Sequence, residues 1–259
     1  MSDSGERFTG RASDYVKYRP GYPPEIIGLL ERDCGLTPKW RIADIGSGPG
    51  NLTKLFLKNG NPTYGIEPNE EMRLAGERML TPFRWFRSVN ATAEATTLGD
   101  GSVEMVTAGQ SFHWFDVEKA RTEFRRILRP GGWVVLVWND RKKDGTSFMQ
   151  HYERVLEAMA PEYRKSRQGK TPEDAVHRLF MPGTPKSAQF PTIVERTWEA
   201  TMGYALSTSY VPKSGQPGHH QLMEALRDIF ERHQANAKVK FLYDTRVFYG
   251  QLKPIEAQP

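Results

Sequence analysis

Short strand-like runs alternate with amphipathic helical stretches through the first half of the chain. The strand-like runs cover residues 41–45, 63–67, 83–88, 103–108 and 133–138. Because parallel neighbours in a sheet are joined by crossovers, usually helices, this alternation predicts a parallel sheet with helices on both faces. Two later runs, 190–198 and 238–250, bring the expected number of strands to seven. We therefore predict an α/β fold with a doubly wound, mostly parallel seven-stranded sheet, formed by residues 1–259 as a single domain.

The pattern changes after about residue 145, where helical stretches are longer and the loops are rich in proline and glycine. We predict that residues 145–236 form a helical cap that selects the substrate, interrupted by one core strand near 190–198. Residues 1–140 then form a ligand-binding core with an N-terminal lid segment. Residues 238–250 complete the sheet as its final strand.

Composition and charge exclude several classes of protein. The longest apolar run is 133–138, far shorter than the roughly 20 residues of a membrane-spanning helix, and the N-terminus has no secretory pattern. We therefore expect a cytoplasmic protein with no membrane partner. Cys34 is the only cysteine, which excludes an internal disulfide, a four-cysteine zinc site and an iron-sulfur cluster held by this chain alone. The net charge of +5 is modest and basic residues mostly alternate with acidic ones, so a nucleic-acid partner is not expected.

A glycine-rich turn follows the first predicted strand. The strand ends at Asp44, and Gly46, Gly48 and Gly50 precede a helix that begins near residue 51. Ligands of open parallel sheets bind beyond the carboxyl ends of the strands, and glycine lets the backbone approach them closely. Glu67 ends the second strand, where an acidic side chain can accept hydrogen bonds from both hydroxyls of a ribose. The pattern predicts a nucleoside-type ligand; the alternatives are an ordinary tight turn and a surface glutamate.

Two common nucleotide sites do not fit this turn. The third glycine of a dinucleotide fingerprint would fall at position 51, where the chain has Asn51, and this argues against a nicotinamide cofactor. No G-K-[ST] phosphate loop is present either, which argues against an ATPase or GTPase.

The ordered motifs resemble those of the class I S-adenosylmethionine-dependent methyltransferases, which have a Rossmann-like fold. The matching motifs are Asp44-x-Gly46-x-Gly48-x-Gly50, Glu67-Pro68 with Met72, Ala91-Thr92-Ala93-Glu94-Ala95, and Leu128-Arg129-Pro130-Gly131-Gly132. The segments Tyr18-Arg19-Pro20-Gly21-Tyr22-Pro23 and Ser111-Phe112-His113-Trp114-Phe115 are similar to the small-molecule branch called type 11, which includes relatives of trans-aconitate methyltransferase. The resemblance runs from about residue 15 to residue 138.

This resemblance implies S-adenosyl-L-methionine as cofactor and S-adenosyl-L-homocysteine as product. Residues 46–50 would pass beneath the methionine part, Glu67 would hold the ribose, Met72 would pack on the adenine, and the Ala93 amide would read the adenine edge. Thr92 stands where many members carry Asp. The cofactor set it implies is Tyr18, Arg19, Asp44, Gly46, Ser47, Gly48, Gly50, Glu67, Pro68, Met72, Thr92, Ala93, Glu94, Ala108 and Gln110.

Methyl transfer from a sulfonium is an in-line displacement, so the acceptor must be held behind the methyl group. The loop 109–115 leaves the fourth strand and is expected to face that position. His113 is its only titratable side chain; it acts either as a base or acceptor-orienting group, or as a structural histidine. The expected substrate residues are Tyr15, Tyr22, His113, Trp114 and Trp138. We predict no metal, since Asn139 and Asp140 end the fifth strand but no carboxylate ends the fourth.

The favoured function is methyl transfer to an oxygen, carboxylate or hydroxyl, of a small molecule, by a monomer or homodimer. The predicted cap contains four basic residues whose charge is compatible with an anionic substrate: Arg164, Lys165, Arg167 and Lys170. The alternatives are an RNA or protein methyltransferase, a non-catalytic S-adenosylmethionine-binding module, and a nicotinamide oxidoreductase.

Overall fold

A computed structural model describes residues 12–160, 162–163 and 172–253. Within them the strands are β1 Ile42–Ile45, β2 Thr63–Ile66, β3 Phe86–Val89, β4 Val103–Gly109, β5 Leu128–Arg141, β6 Lys186–Arg196 and β7 Val239–Gly250. The strands form one sheet in the order β3-β2-β1-β4-β5-β7-β6. Strands β1 to β5 are parallel, and β7 runs antiparallel to both β5 and β6. The predicted mostly parallel seven-stranded α/β fold is confirmed.

Helices connect these strands. They are α1 Ala12–Tyr18, α2 Glu25–Cys34, α3 Asn51–Lys58, α4 Glu70–Leu80, α5 Val117–Ile127, α6 Ser147–Met159, α7 Pro172–Phe180, α8 Trp198–Leu206 and α9 His219–His233, with a short 3-10 helix at Phe112–Trp114. Local sequence sets several of their ends. Asn69, Asp116 and Thr146 each accept a backbone N–H of the first turn of the helix that follows, and Gly35 ends α2 with a φ of 78°.

Successive side chains of β5 point to opposite faces of the sheet and join a different core cluster on each face. Val134, Leu136 and Trp138 pack on one face, and Val135 and Val137 pack on the other. Such a strand is buried on both sides, which explains its continuously apolar sequence.

The segment predicted as a cap contributes to two separate cores. Helices α6, α8 and α9 form a cluster of their own with the first half of β7, whereas Val176, Leu179 and Phe180 of α7 join the core of the sheet. Helix α7 packs on α5, so it covers the sheet.

Strand limits differ from the prediction at several places. The strand expected at 190–198 spans Lys186–Arg196, because the Thr197 hydroxyl accepts the N–H of Ala200 and starts α8. Strand β3 begins at Phe86, three residues later than predicted. No helix in the described part of the chain is long and apolar enough to cross a membrane.

Candidate functional site

A cavity opens at the carboxyl ends of the parallel strands, where β1 lies between β2 and β4 and the strand order reverses. Its volume is about 1300 Å³ including the open mouth. The walls comprise Tyr15, Arg19, Pro20, Tyr22, Asp44, Gly46, Ser47, Gly48, Pro49, Asn51, Leu52, Glu67, Pro68, Asn69, Met72, Thr92, Ala93, Glu94, Gly109, Gln110, Ser111, Trp114, Phe115, Asn139, Tyr204 and Tyr243.

Several N–H groups of the glycine-rich turn already donate hydrogen bonds to carbonyls of the protein. Those of Gly46 and Ser47 donate to the Ile66 carbonyl, and that of Gly50 donates to Ser47. The turn therefore does not present a row of amides to a phosphate, in contrast to a phosphate-binding loop. Gly48 has a φ of 54°, and a Cβ on it would meet nothing within 4 Å, since it would project into the cavity. Because no side chain intervenes at Gly48, a ligand that lies across the turn can approach the backbone closely.

Glu67 is fixed at the end of β2 by two backbone donors. Its Oε2 accepts the Gly48 N–H at 2.8 Å, and its Oε1 accepts the Asn69 N–H at 2.9 Å. The residue is 9% exposed, and burial raises its pKa. Each carboxylate oxygen can accept a second hydrogen bond, so Glu67 presents a preorganised pair of acceptors to the cavity.

Asp44 is buried beneath the same turn. Its carboxylate accepts the Thr53 hydroxyl at 2.6 Å and the Thr107 hydroxyl at 2.9 Å. Burial raises its pKa to about 6 in spite of these hydrogen bonds. Asp44 therefore supplies a negative charge at neutral pH that little solvent screens.

One part of the cavity wall is apolar and comes from the first turn of α4 and from the loop after β3. Met72 and Ala93 are both buried there. Glu94 accepts the N–H of Asp116 at 3.0 Å, which attaches this wall to the start of α5. Buried apolar side chains of this kind can pack against the face of an adenine ring.

A second part of the wall is aromatic and cationic, and its Tyr15 packs against the cluster of Met72 and Ala75. Arg19 lies with its guanidinium carbon 5.0 Å from the centre of the Tyr15 ring and 5.5 Å from that of Tyr204. Tyr204 comes from α8 and Tyr243 from β7. Neither tyrosine is among the site residues predicted from the sequence, because nothing in the local sequence places them beside the glycine-rich turn.

The loop after β4 is held in a constrained conformation. Gln110 has a φ of 57°, which is uncommon for a residue other than glycine and clusters at functional sites. Its N–H donates to Val137, and its side chain donates to the Asn139 carbonyl at 3.0 Å. The Ser111 hydroxyl donates to Ile45 at 2.8 Å, which fastens the loop to β1.

Most of the predicted site residues line the cavity, but five do not. Trp138 is 4% exposed and packs between Phe112 and Phe248, because alternation along β5 directs it into the core. The remaining four are Tyr18, whose hydroxyl donates to Glu199; Gly50, which caps α3; Ala108, which is buried in β4; and His113.

His113 is directed away from the cavity by the 3-10 helix, which places Trp114 on the wall instead. The His113 ring lies 4.8 Å from that of Trp114. Its outer side reaches solvent, but the surrounding protein atoms disfavour the imidazolium and lower the pKa to about 4. At neutral pH the ring is therefore uncharged.

The carboxyl end of β5 is engaged in protein contacts. Asn139 accepts the Thr245 hydroxyl at 2.6 Å and donates to the Gly21 carbonyl, while Asp140 pairs with Arg246. Among residues 12–160, 162–163 and 172–253, no three His, Cys, Asp or Glu side chains are grouped as metal ligands. Arg164, Lys165, Arg167 and Lys170, predicted to face an anionic substrate, lie outside the described residues.

Comparison with known proteins yields one family and several relatives. Residues 43–136 match the family model described as a methyltransferase domain. An uncharacterized methyltransferase of Mycobacterium tuberculosis is 36% identical over 139 residues, which are 54% of each chain, so the match spans about half of that relative. An uncharacterized methyltransferase-like protein of Schizosaccharomyces pombe is 26% identical over 251 residues, 95% of this chain and 96% of its own.

Solved structures agree in fold. A structure described as a type II methyltransferase from Anaeromyxobacter dehalogenans superposes with a TM-score of 0.66 at 19% identity, over 92% of this chain and all of the other. A structure described as a methyltransferase from an antibiotic biosynthesis pathway of Anabaena variabilis gives a TM-score of 0.61 at 19% identity, over 86% of this chain and 96% of the other. At such identities the likeness concerns the fold alone.

Proposed function

We propose that this chain, whose residues 43–136 match a methyltransferase domain, is a class I S-adenosylmethionine-dependent methyltransferase that transfers a methyl group to an oxygen atom of a small molecule. The observation that carries the proposal is the pairing of Glu67 with the glycine-rich turn on one wall of a single cavity. That cavity continues past the turn to the aromatic wall, which leaves space for a second reactant.

The residues fit the cofactor from one end to the other. Glu67 would accept both ribose hydroxyls, and Met72 and Ala93 would enclose the adenine. Gly48 leaves the space that a Cβ would fill, so the methionine part would lie across it. Arg19 lines the cavity beside Tyr15, where its guanidinium would meet the methionine carboxylate.

When bound, S-adenosylmethionine supplies a methyl group activated by the positive charge on sulfur. The chain contributes position and surroundings: Tyr15, Tyr22 and Trp114 would enclose the acceptor and exclude water. Transfer would form the bond between the acceptor oxygen and the methyl carbon as the carbon–sulfur bond breaks, and the electron pair of the broken bond would stay on sulfur.

The acceptor oxygen is proposed to belong to a carboxylate or a hydroxyl. A carboxylate needs no base, whereas a hydroxyl must lose a proton during transfer. No histidine of the described residues lines the cavity, and this favours an acceptor that is already ionised. His113 would then shape the loop after β4. Its alternative role is that of a base, and substitution of His113 distinguishes the two.

Methyl-labelled S-adenosylmethionine incubated with panels of small carboxylic acids, alcohols and phenols tests the proposal. We expect label in an ester or ether product and one equivalent of S-adenosylhomocysteine. Transfer only to RNA or protein, or cofactor binding with no turnover on any panel, would contradict it. With an active acceptor, His113→Gln is expected to retain turnover; a loss with intact cofactor binding would make His113 the base.

A further inference from the structure

The loop before α2 holds a tyrosine ring in a fixed position on the cavity wall. Tyr22 lines the cavity and packs against a core cluster that includes Leu52 of α3. The side chain of Asn139, at the carboxyl end of β5, donates to the Gly21 carbonyl at 3.0 Å. The residue before Tyr22 is therefore anchored to the edge of the sheet, and packing holds the ring itself.

Gly109, the last residue of β4, makes room for the hydroxyl of this tyrosine. A Cβ on Gly109 would lie 2.6 Å from the Tyr22 oxygen and 3.1 Å from the Leu52 side chain. Gly109 is not among the residues with a positive φ, so its backbone conformation does not require glycine. Glycine within a strand often marks the close approach of another group. Here that group is the Tyr22 hydroxyl, which stands beside the start of the loop after β4.

The Tyr22 hydroxyl has no partner in the described part of the chain. It makes no hydrogen bond with these residues, and it is not among the polar atoms that are closed off from solvent. The hydroxyls of Tyr152 and Tyr243, by contrast, are sealed in the interior. A phenol that is rigidly held, accessible from the cavity and not yet hydrogen-bonded can bind a ligand there.

Tyr22 stays protonated at neutral pH. Burial raises its pKa well above the ordinary value of a phenol, and Tyr15 and Asp44 raise it further, whereas the positive charge of Arg19 opposes them only in part. The hydroxyl can therefore donate a hydrogen bond, but it cannot act as a base. An anionic oxygen is the strongest partner for such a donor, because hydrogen bonds to ionised groups are stronger than those between neutral groups.

We propose that the Tyr22 hydroxyl binds a carboxylate group of the acceptor and sets the preference for a carboxylate over a hydroxyl. The inference rests on the proposed function, since it places the acceptor beside the end of β4. A carboxylate has two oxygens: one accepts the hydrogen bond from Tyr22, and the other forms the bond to the methyl carbon. The carbon–sulfur bond breaks and its electron pair stays on sulfur, so the products are a methyl ester and S-adenosylhomocysteine, and no proton is released.

A hydroxyl acceptor fits this arrangement less well. Its single oxygen would have to accept the hydrogen bond from Tyr22 and also attack the methyl carbon, and the donated hydrogen bond would hold back the attacking electron pair. The hydroxyl must also lose a proton during transfer, and protonated Tyr22 cannot take it. Tyr22 is therefore a specificity-determining residue that touches the acceptor.

Acids and alcohols of matched skeleton test the inference: acetate with ethanol, and benzoate with benzyl alcohol. Each is incubated with methyl-labelled S-adenosylmethionine, and both the labelled product and the release of protons into a weakly buffered solution are followed. We expect methyl esters from the acids without net proton release. Tyr22→Phe should lower kcat/KM for the better acid about 10- to 100-fold, mainly through KM, and should leave the affinity for S-adenosylhomocysteine unchanged.

The outcomes separate this inference from the proposed function. If the wild type methylates neither the acids nor the alcohols, the proposed function is wrong and the inference falls with it. If alcohols are methylated better than acids, the proposed function stands and the carboxylate assignment is wrong. If Tyr22→Phe retains the kcat/KM of the acid, the role of Tyr22 alone is overturned.

Tyr249→Phe is the matched control. Tyr249 belongs to the same core cluster as Tyr22, but it does not line the cavity, and its hydroxyl donates to Asp33. Its removal should leave the kinetics with the acid unchanged. If Tyr22→Phe does not fold, Gly109→Ala is the second variant, because the added Cβ would displace the Tyr22 hydroxyl and should raise KM for the acid. An unchanged KM in the folded Gly109→Ala variant would also contradict the inference.

The pH profile distinguishes a hydrogen-bond donor from a base. Because Tyr22 stays protonated, kcat/KM for the acid should have the same dependence on pH in the wild type and in Tyr22→Phe between about pH 6 and 9. If the wild type shows a rise with pH that Tyr22→Phe lacks, Tyr22 acts as a base and the proposed donor role is wrong.

Discussion

Replacing Asp44 by Asn should stabilise the protein in the absence of cofactor at neutral pH. The carboxyl group is fully buried, and burial raises its pKa from 3.8 to about 6. A shift of about two pKa units corresponds to about 3 kcal/mol that the folded state loses when Asp44 ionises. Asn removes this cost and keeps the shape of the side chain.

The pH dependence follows from the sign of the shift. Because the folded-state pKa of Asp44 is the higher one, the protonated carboxyl favours folding below about pH 4 and that contribution is lost as pH rises through 6. The Asn variant should therefore match wild type near pH 4 and exceed it by up to about 3 kcal/mol at pH 7. The hydroxyls of Thr53 and Thr107 must reorient toward an amide, which reduces the gain.

Urea unfolding at several pH values measures this difference. Asp228→Asn, at an exposed position on α9, is the matched control and should change the free energy of unfolding by less than about 0.5 kcal/mol at every pH. A loss of stability in Asp44→Asn at pH 7, or a difference from wild type that does not vary with pH, would refute the reasoning.

Three further changes test other parts of the site. Gly48→Ala should abolish S-adenosylhomocysteine binding, because the added Cβ would project into the cavity. The matched control is Gly131→Ala, which also places alanine at a positive φ but in open space away from the site, and it should keep binding. Equal affinities of the two variants would contradict this. Glu123 accepts both the N–H and the hydroxyl of Thr96, so Glu123→Gln should lower the free energy of unfolding by about 1 to 3 kcal/mol, while exposed Glu118→Gln should have little effect in the same urea titration. Activity should survive EDTA treatment; a loss that magnesium restores would establish a metal site.

The glycine-rich side of the cavity could be predicted from the sequence because it is built from local signals. The glycines, Glu67 and Met72 lie within one strand-helix-strand unit, so their spacing along the chain already fixes which edge of the sheet they share. The same alternation of strands and helices predicts the parallel arrangement of β1 to β5, which the structure confirms.

The aromatic side of the cavity could not be predicted in this way. Tyr204 and Tyr243 reach the cavity from α8 and β7, elements that follow the glycine-rich turn by more than 140 residues and meet it only through tertiary packing. Trp138 was misplaced because an apolar strand buried on both faces gives no sign of which face each side chain takes. His113 was expected at the methyl position since a sequence does not reveal a 3-10 turn of three residues.

Calorimetric titration with S-adenosylhomocysteine tests the central claim most directly, with NADH as the competing ligand. Glu67→Gln removes one of the two carboxylate acceptors, and Glu70→Gln, exposed in the first turn of α4, is the matched control. The account predicts one molecule of S-adenosylhomocysteine per chain, binding weakened by Glu67→Gln but not by Glu70→Gln, and no heat with NADH. Binding of NADH in its place, or equal affinities of the two variants, would contradict it.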